Sequence, residues 1–310
     1  MINFRYHVIS LTAVFLALAI GLILGTAALN GPLADNLNSQ VSSLNKRNGQ
    51  LREEAKQLQN QVDSQADFVV EAAPMLLANR LTGRSVLVVT TDNADSKHRD
   101  AVVKALEQSG ATITGKVRLD DKFIDPKQDE ALQDLATRLV PAGVPPLPNN
   151  GFGVETASAL LAMALVNGGP TISEASRVSI VSGFTGLGAI AADSSITRSA
   201  DAVVVVAGQA ATEADADKRN DSQLVILRQF DKVAKYIVLA GPQASGAGSP
   251  IASIRGDDSL SKGIATVDNV SSPEGQVAVP LTLAEQFLDR TGHYGSGDGS
   301  SARIPDLIKK

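Results

Sequence analysis

Cysteine and tryptophan are both absent from this chain of 310 residues. Without thiols there is no disulfide framework, no thiolate nucleophile and no thiolate ligand for a soft metal. Aromatic side chains make up only 4%, too few for a base-stacking platform or for the aromatic girdles of a membrane barrel. Histidine is nearly as scarce: beyond the N-terminal stretch only His98 and His293 occur, neither with a neighbour at metal-ligand spacing. Met75 and Met163 read as helix core rather than as copper ligands. No G-x-S-x-G elbow occurs, and spacing nominates no serine, histidine and acid as a set. The formal net charge of −5 gives no general attraction to nucleic acid or anionic lipid. The residues therefore point away from an enzyme, and they nominate no catalytic, cofactor-binding or metal-binding residue.

What the chain does have is one long apolar run. Residues 8–29 carry no charge and are just long enough, at about 20 residues, to cross a hydrocarbon core as a helix. Arg5 and the terminal amine precede the run, and no Lys or Arg follows it before Lys46. The positive-inside rule then keeps residues 1–7 cytoplasmic and places the rest of the chain outside. Thr26-Ala27-Ala28 also fits a signal-peptide cleavage site, although the run is longer than the usual apolar core of about 7–15 residues. One stripe of the run stays small: Ala13, Ala17, Gly21 and Gly25 recur at every fourth position. Such a stripe lets two membrane helices approach closely, and Gly21 to Gly25 is its GxxxG form.

A heptad pattern follows in residues 33–68. Leu37, Leu44, Leu51 and Leu58 are seven apart, and Val41, Asn48, Ala55 and Val62 fall four residues after each. These fill both core positions of a coiled coil; leucine at one and a single asparagine at the other favour two parallel strands in fixed register. The competing reading is an amphipathic helix packed on its own domain. Stripe and heptads together make the expected partner a second copy of the chain. Asn30-Gly31-Pro32, between the two, is expected to break or kink the helix.

After a second helix over residues 69–81 the pattern alternates between strands and helices. SVLVVTT, ATITGKV, RVSIVSG, ADAVVVVAG, KYIVLAG and GIATVDNV read as strands. Helices are expected near residues 96–108, 126–139, 154–166 and 222–234 and in TLAEQFLDR, with a proline-rich loop at 141–151. The expected fold is α/β: a transmembrane helix, a parallel dimeric coiled coil, then a Rossmann-like, largely parallel domain over residues 69–295 and a flexible tail over 296–310. A nucleotide-binding loop is not expected. The turn after the first strand, Thr91-Asp92-Asn93-Ala94-Asp95, has no glycine and two carboxylates that repel phosphate. The glycines at 183, 186 and 188 and at 241, 246 and 248 read as mobile loops. Several loops that follow strands are acidic: Asp92 and Asp95, then Glu213, Asp215 and Asp217, then Asp268. In a parallel sheet they converge on one edge, where they could meet a cation or a basic partner.

The stretch INFRYHVISLTAVFLALAIGLILGT, the coil after it, Thr266-Val-Asp-Asn with Gly275-Gln276, and His293-Tyr-Gly295 together resemble the actinobacterial MctB family, named for mycobacterial copper transport protein B. The resemblance covers almost the whole chain. It implies copper transport or an outer-membrane channel, and copper enters only through it. It also implies kinship with the corynebacterial SteB branch, associated with cell separation alongside a partner called SteA. The residues favour an anchored dimeric scaffold or regulator in the cell envelope; the resemblance implies a SteA-like membrane partner, or other cell-envelope proteins, beside it. Copper export is the alternative.

Overall fold

A computed structural model describes residues 4–193, 196–242, 246 and 248–306, with the backbone alone for 27–34. The chain divides into two compact units, Met1–Gln65 and Ala66–Lys310. One helix, α1 (Phe4–Leu77), makes up the first unit and enters the second. Its apolar part, Phe4–Thr26, has 23 residues, a rise of about 35 Å at 1.5 Å per residue against a hydrocarbon core of about 30 Å. That length and composition suggest membrane anchoring. The break expected at Asn30-Gly31-Pro32 does not occur, because helical backbone continues through it. Proline removes a single N–H from the ladder, and the bonds on either side carry the helix across. Residues 69–81 do not form a separate helix either; α1 runs to Leu77 and ends in a turn where Asn79 has φ 62°.

The second unit continues with β1 (Ser85–Thr90), α2 (Ser96–Gln108), β2 (Thr112–Leu119), α3 (Asp121–Ile124), α4 (Asp129–Leu139), α5 (Gly153–Leu165), α6 (Glu174–Leu187) and β3 (Ile190–Ala192). Then come β4 (Ala202–Val206), α7 (Ala216–Asp231), β5 (Ile237–Ala240), α8 (Pro250–Gly256), α9 (Leu260–Gly263), β6 (Ile264–Val267), α10 (Pro273–Gln286) and β7 (His293–Tyr294). The sheet has seven strands in the order β3-β2-β1-β4-β5-β6-β7, parallel except where β3 joins β2. The β-branched runs fall in its centre, where strands are covered on both faces. Alternate residues feed two cores. Leu87, Val89, Val203, Val205, Ile237 and Leu239 pack with residues of α4 to α9. Val86, Val88, Val204, Val206 and Val238 pack with α2 and α10.

RVSIVSG is not a strand but part of α6. Ser173 caps that helix by accepting from the Ser176 N–H, and Arg177, Ile180, Val181 and Phe184 are buried at helical spacing. The glycine run at 183–188, expected as a mobile loop, belongs to the same helix. Gly183 fits against Leu139, and Gly188 ends the helix with φ 72°, a conformation that glycine adopts without steric cost. Of the second glycine run, residues 243–245 and 247 lie outside the described residues. Within the expected tail, residues 296–306 carry hydrogen bonds to the domain, among them Gly295 N–H to the Ala302 carbonyl and Arg290 to the Asp306 carbonyl.

Candidate functional site

The heptad positions form an uncovered stripe on α1. Leu37, Val41, Leu44, Leu51, Leu58 and Val62 are all more than half exposed, and Asn48 and Ala55 are exposed between them. Nothing approaches Gly21 or Gly25 within 4 Å of where a Cβ would lie, and Ala13 and Ala17 are exposed on the same helix. Among the described residues, both patterns thus stay uncovered along this helix.

The acidic loops follow the carboxyl ends of parallel strands, and their described side chains have separate partners. Asp95 caps α2, accepting from the Lys97 N–H at 2.8 Å. Asp215 pairs with Arg219 at 2.9 Å, which holds its carboxyl below the usual range. Arg219 also reaches Asp121 at 2.5 Å, bridging the loops that follow β2 and β4. Asp92 is pushed above its usual range, first by burial and then by Asp121 and Asp120. Glu213 and Asp217 stay exposed. Sequence reasoning missed Arg118, Arg219, Asp120 and Asp121, although the Asp-Asp pair directly after β2 carried the same signal as the other acidic loops.

The crevice between β1 and β4, where the strand order reverses, is the usual ligand position in such sheets. Here it is stitched closed. Thr91 N–H bonds the Val206 carbonyl at 3.0 Å, Gly208 N–H bonds Thr91 Oγ1 at 2.9 Å, and Asn93 donates to the Gln209 carbonyl. Gly208 packs so closely on Asn93 that a Cβ there would collide with it.

Asp268 does not belong to the exposed edge. It is 1% exposed and lies at the end of β6, at the centre of a clamp. Its carboxylate accepts from Arg255 Nη1 at 3.0 Å and from the backbone N–H groups of Ser296 and Gly297 at 2.6 and 3.0 Å. Arg255 further donates to Thr266 Oγ1 and to the carbonyls of Tyr294 and Asp298. Gly295, at φ 128°, lies so close to the Asp268 carboxylate that any side chain would strike it. Gly275 backs onto the Asn269 carbonyl, and Gln276 donates to the Val270 carbonyl at 3.0 Å. The three short motifs Thr266-Val-Asp-Asn, Gly275-Gln276 and His293-Tyr-Gly295 thus meet at one place and fasten β7 and the segment after it to β6.

His293 titrates within this clamp. Thr266 Oγ1 accepts from Arg255 Nε and also lies within hydrogen-bond distance of His293 Nδ1, at 2.9 Å. Burial, and then the Arg255 charge, lower the imidazole from its ordinary 6.5. The unfolded chain therefore binds this proton more readily than the folded one. Stability is full above pH 6.5 and is lost as pH falls from there toward the lowered folded value. Thermal unfolding followed from pH 7.5 to 5.5 should show a falling midpoint, and His293→Gln should flatten that slope. An unchanged slope in the variant would remove His293 from the account.

An open cleft of about 550 Å³ lies along α7, lined by Pro126, Asp129, Phe152, Lys218, Asp221, Leu224, Val225 and Arg228. Its two acids balance its two bases, and Arg228 also reaches Asp257 at 3.5 Å. Metal-binding groups are few: among the described residues no three His, Cys, Asp or Glu are placed to hold a metal ion. Met163 packs against the larger core as expected, whereas Met75, expected in a core, is 84% exposed.

Comparison with known proteins covers nearly the whole length. The family model described as "Copper transport outer membrane protein, MctB" matches residues 1–305. Proteins named Copper transporter MctB from Mycobacterium tuberculosis and Mycobacterium bovis are 28% identical over 309 residues, 97% of this chain and 98% of theirs. The protein of the same name from Mycobacterium leprae is 29% identical over 313 residues, again 97% of this chain and 98% of its own.

Proposed function

The chain belongs to the MctB family, and on that premise we propose that it works as a membrane-anchored parallel dimer, a scaffold or regulator that presents a non-catalytic α/β head to protein partners in the cell envelope. The N-terminus is cytoplasmic and the head extracytoplasmic, following the charge bias around the apolar helix. The observation that carries this reading is the exposed leucine seam of residues 37–62. A lone helix with that stripe in water forfeits about 1.5–3 kcal/mol per uncovered leucine, which a second copy in register recovers. The stitched β1/β4 crevice supports a role without nucleotide chemistry. The sequence resemblance to the SteB branch supports a SteA-like membrane partner, or other cell-envelope proteins, and cell separation or envelope remodelling as the process served. Sedimentation of the full chain in detergent should give one dimeric species; a monomer at all concentrations would sink the reading.

The relatives' printed name favours a second reading, copper transport. Its difficulty is ligand chemistry, since Cu(I) selects thiolate and thioether donors and this chain has no cysteine. Cu(I) binding by the full chain that resists a competing chelator and is lost on changing Met75, Met163, His98 or His293 would favour it over the scaffold.

A further inference from the structure

The last turns of α1 carry apolar side chains that the head leaves uncovered. Ala73 and Leu77 are buried with Ala105 of α2 and Val277 and Leu281 of α10, and Val69 packs against the same group. Phe68, Met75 and Leu76 take no part in that contact and are 71%, 84% and 42% exposed. At about 100° per residue, Phe68, Ala72 and Met75 cluster roughly a third of a turn from the face that docks on the head, with Leu76 between.

Register says what covers them. Counting on by sevens from Leu58 gives Gln65 and Ala72, and from Val62 gives Val69 and Leu76. Because α1 is unbroken from Phe4 to Leu77, that count is carried into the neck without a shift. Ala72 and Leu76 thus hold core positions, while Phe68 and Met75 immediately precede Val69 and Leu76 at the flanking position that borders a dimer seam. In a straight helix a seven-residue stripe drifts by about 20° per heptad. Here the drift runs away from Ala73 and Leu77 and toward Phe68 and Met75. The two acids of this stretch, Asp67 and Glu71, lie off the apolar cluster.

We propose that a second copy of this chain covers the neck: the dimer seam runs past Val62 through Ala72 and Leu76, with Phe68 and Met75 closing its flank. The inference rests on the parallel-dimer reading above and extends it. One short segment of α1 then serves two interfaces, its own head on one face and the partner's α1 on the next. A protein bound against α2 or α10 would act on the same helix that holds the dimer together.

The absence of cysteine makes the test direct, because within this protein a single introduced thiol finds a thiol partner only in another copy, and a homodimer is recognised by its mass. Leu51→Cys, Ala72→Cys and Glu71→Cys would be placed one at a time in the full chain and oxidised in native membranes. A covalent dimer from Leu51→Cys and Ala72→Cys, with little from Glu71→Cys, is expected. Phe68→Asp with Met75→Asp in the Ala72→Cys background should abolish that dimer while leaving the one from Leu51→Cys. If Leu51→Cys joins and Ala72→Cys joins no better than Glu71→Cys, the neck proposal is overturned and the coil dimer stands. If neither Leu51→Cys nor Ala72→Cys joins, the dimer reading falls and the neck proposal falls with it.

Discussion

Replacing Asp268 by alanine should destabilise the head by about 3–5 kcal/mol, the usual cost of stripping one partner from a buried ion pair. Arg255 and Asp268 have side chains only 4% and 2% exposed. Without the carboxylate the guanidinium stays buried and uncompensated, and the N–H groups of Ser296 and Gly297 lose their acceptor. Burial lowers the Arg255 pKa even beside the Asp268 carboxylate, so either charge left alone in this site is poorly compensated. The double variant Arg255→Met with Asp268→Leu should for that reason be less destabilised than the two single variants added together. Urea unfolding of the four proteins measures this directly. Additive losses would show that the ion pair contributes nothing beyond its separate backbone bonds. A single Asp268→Ala variant within 1 kcal/mol of the parent, on the order of a surface pair, would show that the clamp is not what holds the last strand.

The same clamp shows what a sequence can and cannot reveal. Asp268, Gly275, Gln276, His293 and Gly295 all stand out as short motifs, but nothing in their spacing says that they touch. Contact follows from strand order: β6 and β7 are neighbours, so residues about 25 positions apart share one edge. Arg255, the cation that joins them, sits on the short helix α8, whose seven residues are too few to show a periodic stripe. The long elements were legible. α2 occupies the expected residues 96–108, and the valine-rich runs became the central strands β1 and β4. RVSIVSG misled because its β-branched residues favour a strand locally, while the capping Ser173 and the spacing of Arg177, Ile180 and Phe184 decide for a helix. Met75 misled in the opposite way: a thioether in a helix reads as core, and only the placement of α2 and α10 shows that the head's contact with α1 passes through Val69, Ala73 and Leu77 instead.

Changing both Leu44 and Leu51 to aspartate should convert a chain that begins at Asp35 from dimer to monomer. Each leucine, 63% and 64% exposed in the single chain, would bury its side chain against a second copy, for about 1.5–3 kcal/mol. Two sites in each of two chains amount to about 6–12 kcal/mol, a rise in dissociation constant of at least roughly 10⁴-fold before the charge cost is added. The head should keep its thermal midpoint, because Ala66–Lys310 forms a compact unit with its own cores. Asn48 should behave in the opposite sense. An asparagine at a core position is satisfied only by its counterpart in a parallel pair, so it lowers stability while excluding slipped registers and larger bundles. Asn48→Ile should therefore tighten association and broaden it, giving a mixture of oligomers where the parent gives one. Sedimentation velocity on the three chains separates these outcomes. A parent that stays monomeric at high concentration, with the aspartate variant indistinguishable from it, would mean that the leucine stripe meets something other than a second copy, and the scaffold reading would lose its main support.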